Sequence, residues 1–306
     1  MTVNSSARLA LTLPVAGQVY GSRLDGMLDA IRHAEDVGVD TVVAADHVVM
    51  GNRLDRYPWG TFAFAEGAPW YEPLTVLTSI AAVTSRLRLA TGILIAGLRP
   101  PALLAKTAAT LDVLSRGRLE LGVGTGWQRE EYDASGYDFG ARAQRLDDTI
   151  GACRALWAGG PADFASETVT FSQVRCDPQP VQDGGPGILF AGPLTKRNLR
   201  RIRTLGNGWI PIMGESGDGV RKGIALLRKQ FAGAGRDPET LRVRVPLRTR
   251  KDASGASSVE ATLEQAAELA EYGVTEVSVV LAAFAKEPED VGPFLERLGK
   301  AWGKAR

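Results

Sequence analysis

Two histidines occur among the 306 residues, and one of them, His47, follows Asp46 directly behind a short apolar run, Thr41–Ala45. A carboxylate and an imidazole at the end of a strand are well placed to move a proton or to bind the polar edge of a ring. An equal reading has His47 capping a barrel while Asp46 orients it. His33 falls on the polar face of a helical pattern and reads as solvated. A second group, Gly122-Val123-Gly124-Thr125-Gly126-Trp127, closes the run Leu119–Val123. It lacks the spacing of a dinucleotide loop, no phosphate-loop lysine follows, and it comes too late in the chain for a Rossmann fingerprint. Glycine at a strand end lets a flat ring lie against bare backbone, although tight packing at a barrel rim uses the same residues. Thr91-Gly92-Ile93 ends another run. Ala191-Gly192-Pro193-Leu194-Thr195 leads into a helical segment that opens with Lys196 and Arg197. Free N–H groups and the helix dipole favour an anion there. The chain has no Gly-x-Ser-x-Gly elbow, no His-Glu-x-x-His and no metal spacing around Cys153 or Cys176. Hydrolase and metal-enzyme readings lose support, and no metal is expected.

These residues need elements to position them. Eight strand-like runs, Arg8–Leu13, Thr41–Ala45, Leu87–Ile93, Leu119–Val123, Ile188–Ala191, Trp209–Ile212, Leu241–Leu247 and Val277–Leu281, are dense in Val, Ile and Leu without clean alternation. That is the pattern of parallel strands covered on both sides. A helix-like segment follows each. Leu24, Met27, Leu28, Ile31 and Ala34 form one apolar stripe opposite Asp25, Asp29, Arg32, His33 and Asp36. Leu146, Ile150, Cys153 and Trp157 form another, as do Val220, Ile224, Leu227 and Phe231, and finally Val291, Phe294, Leu295, Leu298 and Trp302. Strand then helix, eight times, predicts an α/β fold, a closed (β/α)8 TIM barrel, ahead of an open doubly wound sheet.

Three connections are longer than turns. Asp46–Glu72 follows strand two and holds Tyr57, Trp59, Trp70 and Tyr71; Gly124–Gly140 follows strand four; Gly159–Gly187 precedes strand five and contains a hairpin, Glu167–Cys176. The first two lie on the face where barrel active sites are built. The aromatic loop suits a flat or apolar substrate, or equally its own packing. Lys251–Ser258, rich in Ser and Gly, reads as a mobile tract, and no domain boundary breaks residues 1–306.

With 44% hydrophobic residues the chain can bury a large core. Its 36 basic and 35 acidic residues leave a net charge of +1, which makes nucleic acid a poor partner. No apolar stretch reaches the roughly 18 residues needed to span a bilayer. Met1 to Arg8 has no charged leader running into an apolar stretch. The expectation is a soluble, cytoplasmic enzyme that acts on a small molecule, away from membranes.

Taken together, AADHVV, WYEPLTVL, ATGIL, LLAKTAATLDVLSRGRLELGVGTGWQREEY, FGARAQRLDDTI and LGNGWIP resemble the bacterial luciferase-like superfamily, closest to its F420-dependent oxidoreductase branch. The segments run in family order over nearly the whole chain, and Leu103–Tyr132 is the most specific. The resemblance implies coenzyme F420, or FMN as the alternative, held without a permanent covalent link at the strand ends of a homodimer. It implies hydride transfer to or from a small organic substrate; an FMN-dependent monooxygenase and a barrel that only binds a ligand are the alternatives. Carried over by residue, Asp46 would contact the ring's polar edge and His47 would handle the proton. Gly92-Ile93, with Thr91 before it, would form a bulge, often a non-prolyl cis peptide, that backs the ring, and a side chain at Gly92 would enter the ring site. Thr125, Gly126 and Trp127 would line the cofactor, and Gly192, Pro193, Leu194 and Thr195 would hold its phosphate. Two positions depart from the pattern. Trp127 stands where some sugar-phosphate dehydrogenases of the branch carry a catalytic glutamate, which leaves the nearby Glu130 as a replacement. Pro193 stands where relatives commonly have glycine, and its missing N–H removes one phosphate contact.

Overall fold

Among the described residues twelve strands form in chain order: β1 Arg8–Thr12, β2 Thr41–Ala44, β3 Arg88–Thr91, β4 Leu119–Val123, β5 Ala162–Ala165, β6 Thr170–Val174, β7 Gly187–Ala191, β8 Gly208–Ile210, β9 Arg242–Pro246, β10 Arg250–Lys251, β11 Ser257–Ser258 and β12 Glu276–Val280. They come from a computed structural model that describes residues 7–13, 17, 19–21, 26–58, 60, 62, 64 and 66–305. Eight of the strands close a parallel barrel in the order β1, β2, β3, β4, β7, β8, β9, β12, and β12 pairs back to β1. The helices are α1 Met27–Asp36, α2 Pro73–Val83, α3 Pro101–Leu114, α4 Arg129–Ala134, α5 Arg142–Leu156, α6 Lys196–Thr204, α7 Gly217–Ala232, α8 Val259–Leu263, α9 Gln265–Glu271 and α10 Pro288–Ala305. The fold is a closed (β/α)8 barrel. Each expected barrel strand is present: β1, β2, β3, β8 and β9 are one to three residues shorter than the runs that mark them, β4 coincides with its run, β7 begins one residue earlier, and β12 is shifted by one.

The strands do alternate, in a way that hydrophobicity alone conceals. Leu9, Leu11, Val42, Ala44 and Leu89 belong to the core between strands and helices, whereas Ala10, Val43 and Ala90 form a small separate cluster in the lumen. Both faces are apolar, so the period-2 signal vanishes from the sequence. The helical stripes pack onto the outer core: Ile31, Ile150, Ile224 and Leu298 are all fully buried or nearly so. Leu24, Asp25 and Trp59 lie outside the described residues.

Two short antiparallel pairs decorate the barrel. β5 pairs with β6, starting five residues earlier than the hairpin read from the sequence, and Asp148 of α5 anchors its turn by accepting from the Thr168 N–H (3.0 Å) and hydroxyl (2.7 Å). The Ser-rich tract forms β10 and β11 joined by a turn, in which the Asp252 carboxylate accepts from the Ser254 N–H at 2.8 Å. It is a built hairpin, because that carboxylate satisfies the turn's backbone. No helix among the described residues is long and apolar enough to cross a membrane.

Candidate active site

The mouth of the barrel gathers the connections that follow β2, β3 and β4. Behind β2, Asp46 turns away from the lumen surface. Its Oδ2 accepts from the Ile95 N–H at 2.8 Å and from Arg99 Nη1 at 2.7 Å, and its Oδ1 accepts from Arg99 Nη2 at 3.1 Å. The carboxylate has no exposed surface. It ties the loop behind β2 to the loop behind β3 through a two-pronged guanidinium pair, and so presents no free surface of its own at the mouth. Arg99 also reaches Glu72 at 2.8 Å. Burial works against the charge on Arg99, but Asp46 and Glu72 outweigh it and raise its pKa.

His47 is the next residue and is nearly buried. Its Nδ1 lies 3.0 Å from Glu131 Oε2, while Glu131 Oε1 accepts from the Val48 N–H at 3.0 Å. Glu131, on α4, is completely buried. Its neighbour Glu130 is not at the imidazole: it is partly exposed and faces Arg56 at 3.5 Å. The carboxylate that meets His47 is thus Glu131, one position beyond the Glu130 that the resemblance offers as a replacement catalytic glutamate. Both stand in the block GWQREEY, and one residue is about 100° of helix rotation, so only the packing of α4 selects the face. Gln128 braces the same junction, with its amide exchanging hydrogen bonds with the Gly51 backbone at 2.9 and 3.0 Å.

Aromatic rings surround the imidazole. Trp70 lies 4.5 Å from it, Phe62 5.9 Å and Trp127 6.2 Å, each edge-on, and Tyr57 packs on Phe62 and Trp127. Phe64 extends the group by packing on Trp70 at 4.7 Å. Phe62 and Phe64 were missed because nothing local distinguishes them from lid packing. A cavity of about 210 Å³ opens here, lined by His47, Val48, Trp70, Glu72, Leu98 and Arg99.

The strand ends beside it present bare backbone. The Gly92–Ile93 peptide is cis. A Cβ on Gly92 would overlap Val43 in the lumen cluster, so a side chain there would press into the barrel core instead of entering a ring site. Thr91 is sealed, its hydroxyl donating to the Gly122 carbonyl at 2.8 Å, and so offers no surface to a ligand. Thr125, Gly126 and Trp127 are each partly exposed at the rim, and the Thr125 carbonyl accepts from the Tyr132 hydroxyl at 2.7 Å. Behind β7, Gly192 has φ near +102° and no atom within 4 Å of where a Cβ would stand. Pro193 and Thr195 are exposed and Leu194 half-buried. The Thr195 hydroxyl caps α6 by accepting from the Asn198 N–H at 3.2 Å. Asn198 is buried and its Oδ1 has no hydrogen-bond partner. Among the described residues no group of three His, Cys, Asp or Glu side chains gathers to hold a metal.

The pattern of the family described as luciferase-like monooxygenase matches residues 9–290. The chain belongs to the luciferase-like monooxygenase family. This luciferase-like chain is 33% identical over 229 residues to an uncharacterized protein of Mycobacterium tuberculosis, a match that covers 74% of each. Among solved structures it resembles an F420-dependent secondary alcohol dehydrogenase in complex with an F420–acetone adduct, with a TM-score of 0.78, 15% identity and 100% of both chains covered. It also resembles a riboflavin lyase with modified FMN and riboflavin, with a TM-score of 0.76 and 15% identity over 98% of this chain and 92% of that one. At such identities the likeness is one of fold. Luciferase-like family members are oxidoreductases and monooxygenases, and the neighbours in fold include users of both F420 and FMN.

Proposed function

We propose that the chain is an F420-dependent oxidoreductase acting on a small organic substrate, with His47 as its proton-handling residue. The observation that carries this reading is His47 itself. It lines the cavity at the barrel mouth, is held at Nδ1 by Glu131, and has no hydrogen-bond partner at Nε2 among the described residues. Such a nitrogen can exchange a proton with a substrate oxygen. The residues present fit a ring cofactor. Gly192 leaves open space at the end of β7, and α6 turns a capped N-terminus toward the same region, followed by Lys196 and Arg197. Gly192 to Thr195 would hold the phosphate, and Thr125, Gly126 and Trp127 would flank the ring. When bound, the deazaflavin supplies a ring carbon that gives or takes hydride. The chain's part is to hold the substrate against that carbon, to manage the proton at His47 and to exclude water with the aromatic collar.

FMN would use the same residues, and a riboflavin-binding neighbour of equal fold similarity keeps it as the second reading. Titrating apo protein with each cofactor, following fluorescence, separates the two. Tight F420 binding with weak FMN binding is expected; the reverse replaces F420 with FMN. A bound cofactor that no substrate class reduces or oxidises would leave a ligand-binding barrel. The reading also includes a cytoplasmic homodimer. Leu103, Val113 and Leu114 are exposed along α3, an apolar surface that a second copy would cover. A monomer mass by light scattering at micromolar concentration would contradict it.

A further inference from the structure

We propose that Glu131 is a positioning residue that sets the tautomer of His47, so that the imidazole meets its ligand as a hydrogen-bond acceptor and the ligand group it receives is a hydroxyl. The argument begins with what Glu131 can do. Its carboxylate is sealed from solvent and has, among the described residues, one protein partner at each oxygen, the Val48 N–H at Oε1 and His47 Nδ1 at Oε2, both at 3.0 Å. The Val48 donor is backbone and cannot reverse its role. A carboxylate held this way accepts at both oxygens, so the proton of a neutral imidazole sits on Nδ1. Nε2 is left with its lone pair, on a residue that lines the cavity. A carbonyl oxygen has no proton to offer that lone pair, whereas a hydroxyl has one.

The surroundings narrow the ligand further. Trp70, Phe62 and Trp127 stand edge-on around the ring, and Arg99 is already committed to Asp46 and Glu72. Among the described residues no unpaired cation is left in the cavity lining to receive a carboxylate or phosphate, so the group beside the hydroxyl is uncharged and apolar or flat. This ligand assignment rests on the site proposed above; the tautomer does not.

The chain's two histidines make the test direct. Long-range ¹⁵N–¹H correlation spectra of the uniformly labelled protein report which imidazole nitrogens carry protons, and His33→Ala assigns the remaining signals to His47. The expected wild-type state is Nδ1 protonated and Nε2 bare. In Glu131→Gln the Val48 N–H claims the only amide oxygen, which turns the NH2 toward the ring; Nδ1 must then accept, and the proton moves to Nε2. A wild-type proton on Nε2, or a tautomer unchanged in a folded Glu131→Gln, overturns the proposal. If that variant does not fold, the wild-type spectrum decides alone. Benzyl alcohol should shift Nε2 where toluene does not, and equal responses overturn the hydroxyl assignment. The expected tautomer in a protein that binds no F420 would leave Glu131 in its role and remove the cofactor reading instead.

Discussion

At the floor of the barrel Arg244 lies between Glu120 and Glu276, bonded to both, with Arg242 reaching Glu120 at 2.9 Å, and with Arg8 at 3.1 Å and Thr41 at 2.6 Å reaching Glu276. At the mouth, by contrast, His47 has one nitrogen satisfied and the other without a partner among the described residues, Asn198 likewise keeps an unpartnered oxygen among them, and Gly192 borders open space. Both ends bury ionisable groups. At the floor the carboxylates and Arg244 are cross-linked into one network, which commits those side chains to holding strands β1, β2, β4, β9 and β12 in register. At the mouth polar capacity is left over, and unspent hydrogen-bonding capacity in a cleft is what a ligand needs. The floor has its own imperfection, since Arg88 Nη2 is buried without a partner and burial lowers the Arg88 pKa. Paired groups at the mouth, Asp46 with Arg99 and Glu131 with His47, serve to orient the few that are free.

The comparison breaks most visibly at His47. His47→Asn keeps an N–H where Nδ1 stood, so Glu131 retains its partner, but it removes Nε2. Hydride transfer measured in a single turnover should fall by roughly 10²–10⁴-fold, while stability moves by less than about 1 kcal/mol. Unchanged turnover would assign His47 to the architecture of the mouth.

The floor should respond in the opposite sense. Glu276→Ala leaves Arg244 short of a partner in the interior, which should lower unfolding stability by about 3–5 kcal/mol in urea at neutral pH, with cofactor affinity of the folded protein unaffected. A loss under about 1 kcal/mol would show that the network does not stabilise the fold. The pH dependence follows from the same group. Burial raises the Glu276 pKa, but Arg244, Arg8 and Thr41 outweigh it and hold the carboxyl below its ordinary value. Its contribution is therefore complete above the unfolded value of about 4.3 and is lost as pH falls through the folded one. The stability gap between wild type and Glu276→Gln should narrow across that acid window and stay constant above it.

Gly92→Val sharpens the boundary between the two regions. The new side chain would collide with Val43 beneath the mouth, so melting temperature should drop even without cofactor, corresponding to about 1–3 kcal/mol of overpacking. A loss confined to cofactor binding would return Gly92 to the ring site. The smallest effect belongs to Glu130→Gln. A partly exposed pair 3.5 Å from Arg56 contributes little, so stability should change by about 0.5 kcal/mol or less, and turnover should match wild type. A large rate loss would instead give Glu130 the catalytic role that the departure at Trp127 leaves to it.

The eight strands, their order and the helical stripes were legible in the chain because local physics writes them. Val, Ile and Leu runs of four to seven residues punctuated by Gly and Pro, followed by 3.6-residue stripes such as Val220, Ile224, Leu227 and Phe231, depend only on neighbours in sequence. The position of His47 at the mouth was legible for the same reason, since it directly follows a strand end. The partners of the site were not. His47 and Glu131 are 84 residues apart, Asp46 and Arg99 are 53 apart, and Arg244 and Glu120 are 124 apart. Each pair exists because barrel closure brings distant strand ends together. Whether Glu130 or Glu131 faces inward, or whether a Gly92 side chain would meet a ring or Val43, turns on a helix rotation or a Cβ direction that no local pattern records. The sequence by itself determined the barrel and placed one imidazole at its rim. Only the tertiary structure decided which carboxylate holds that imidazole, which is consumed by an arginine, and which lie sealed in the floor, because those choices are made by contacts across the closed ring of strands.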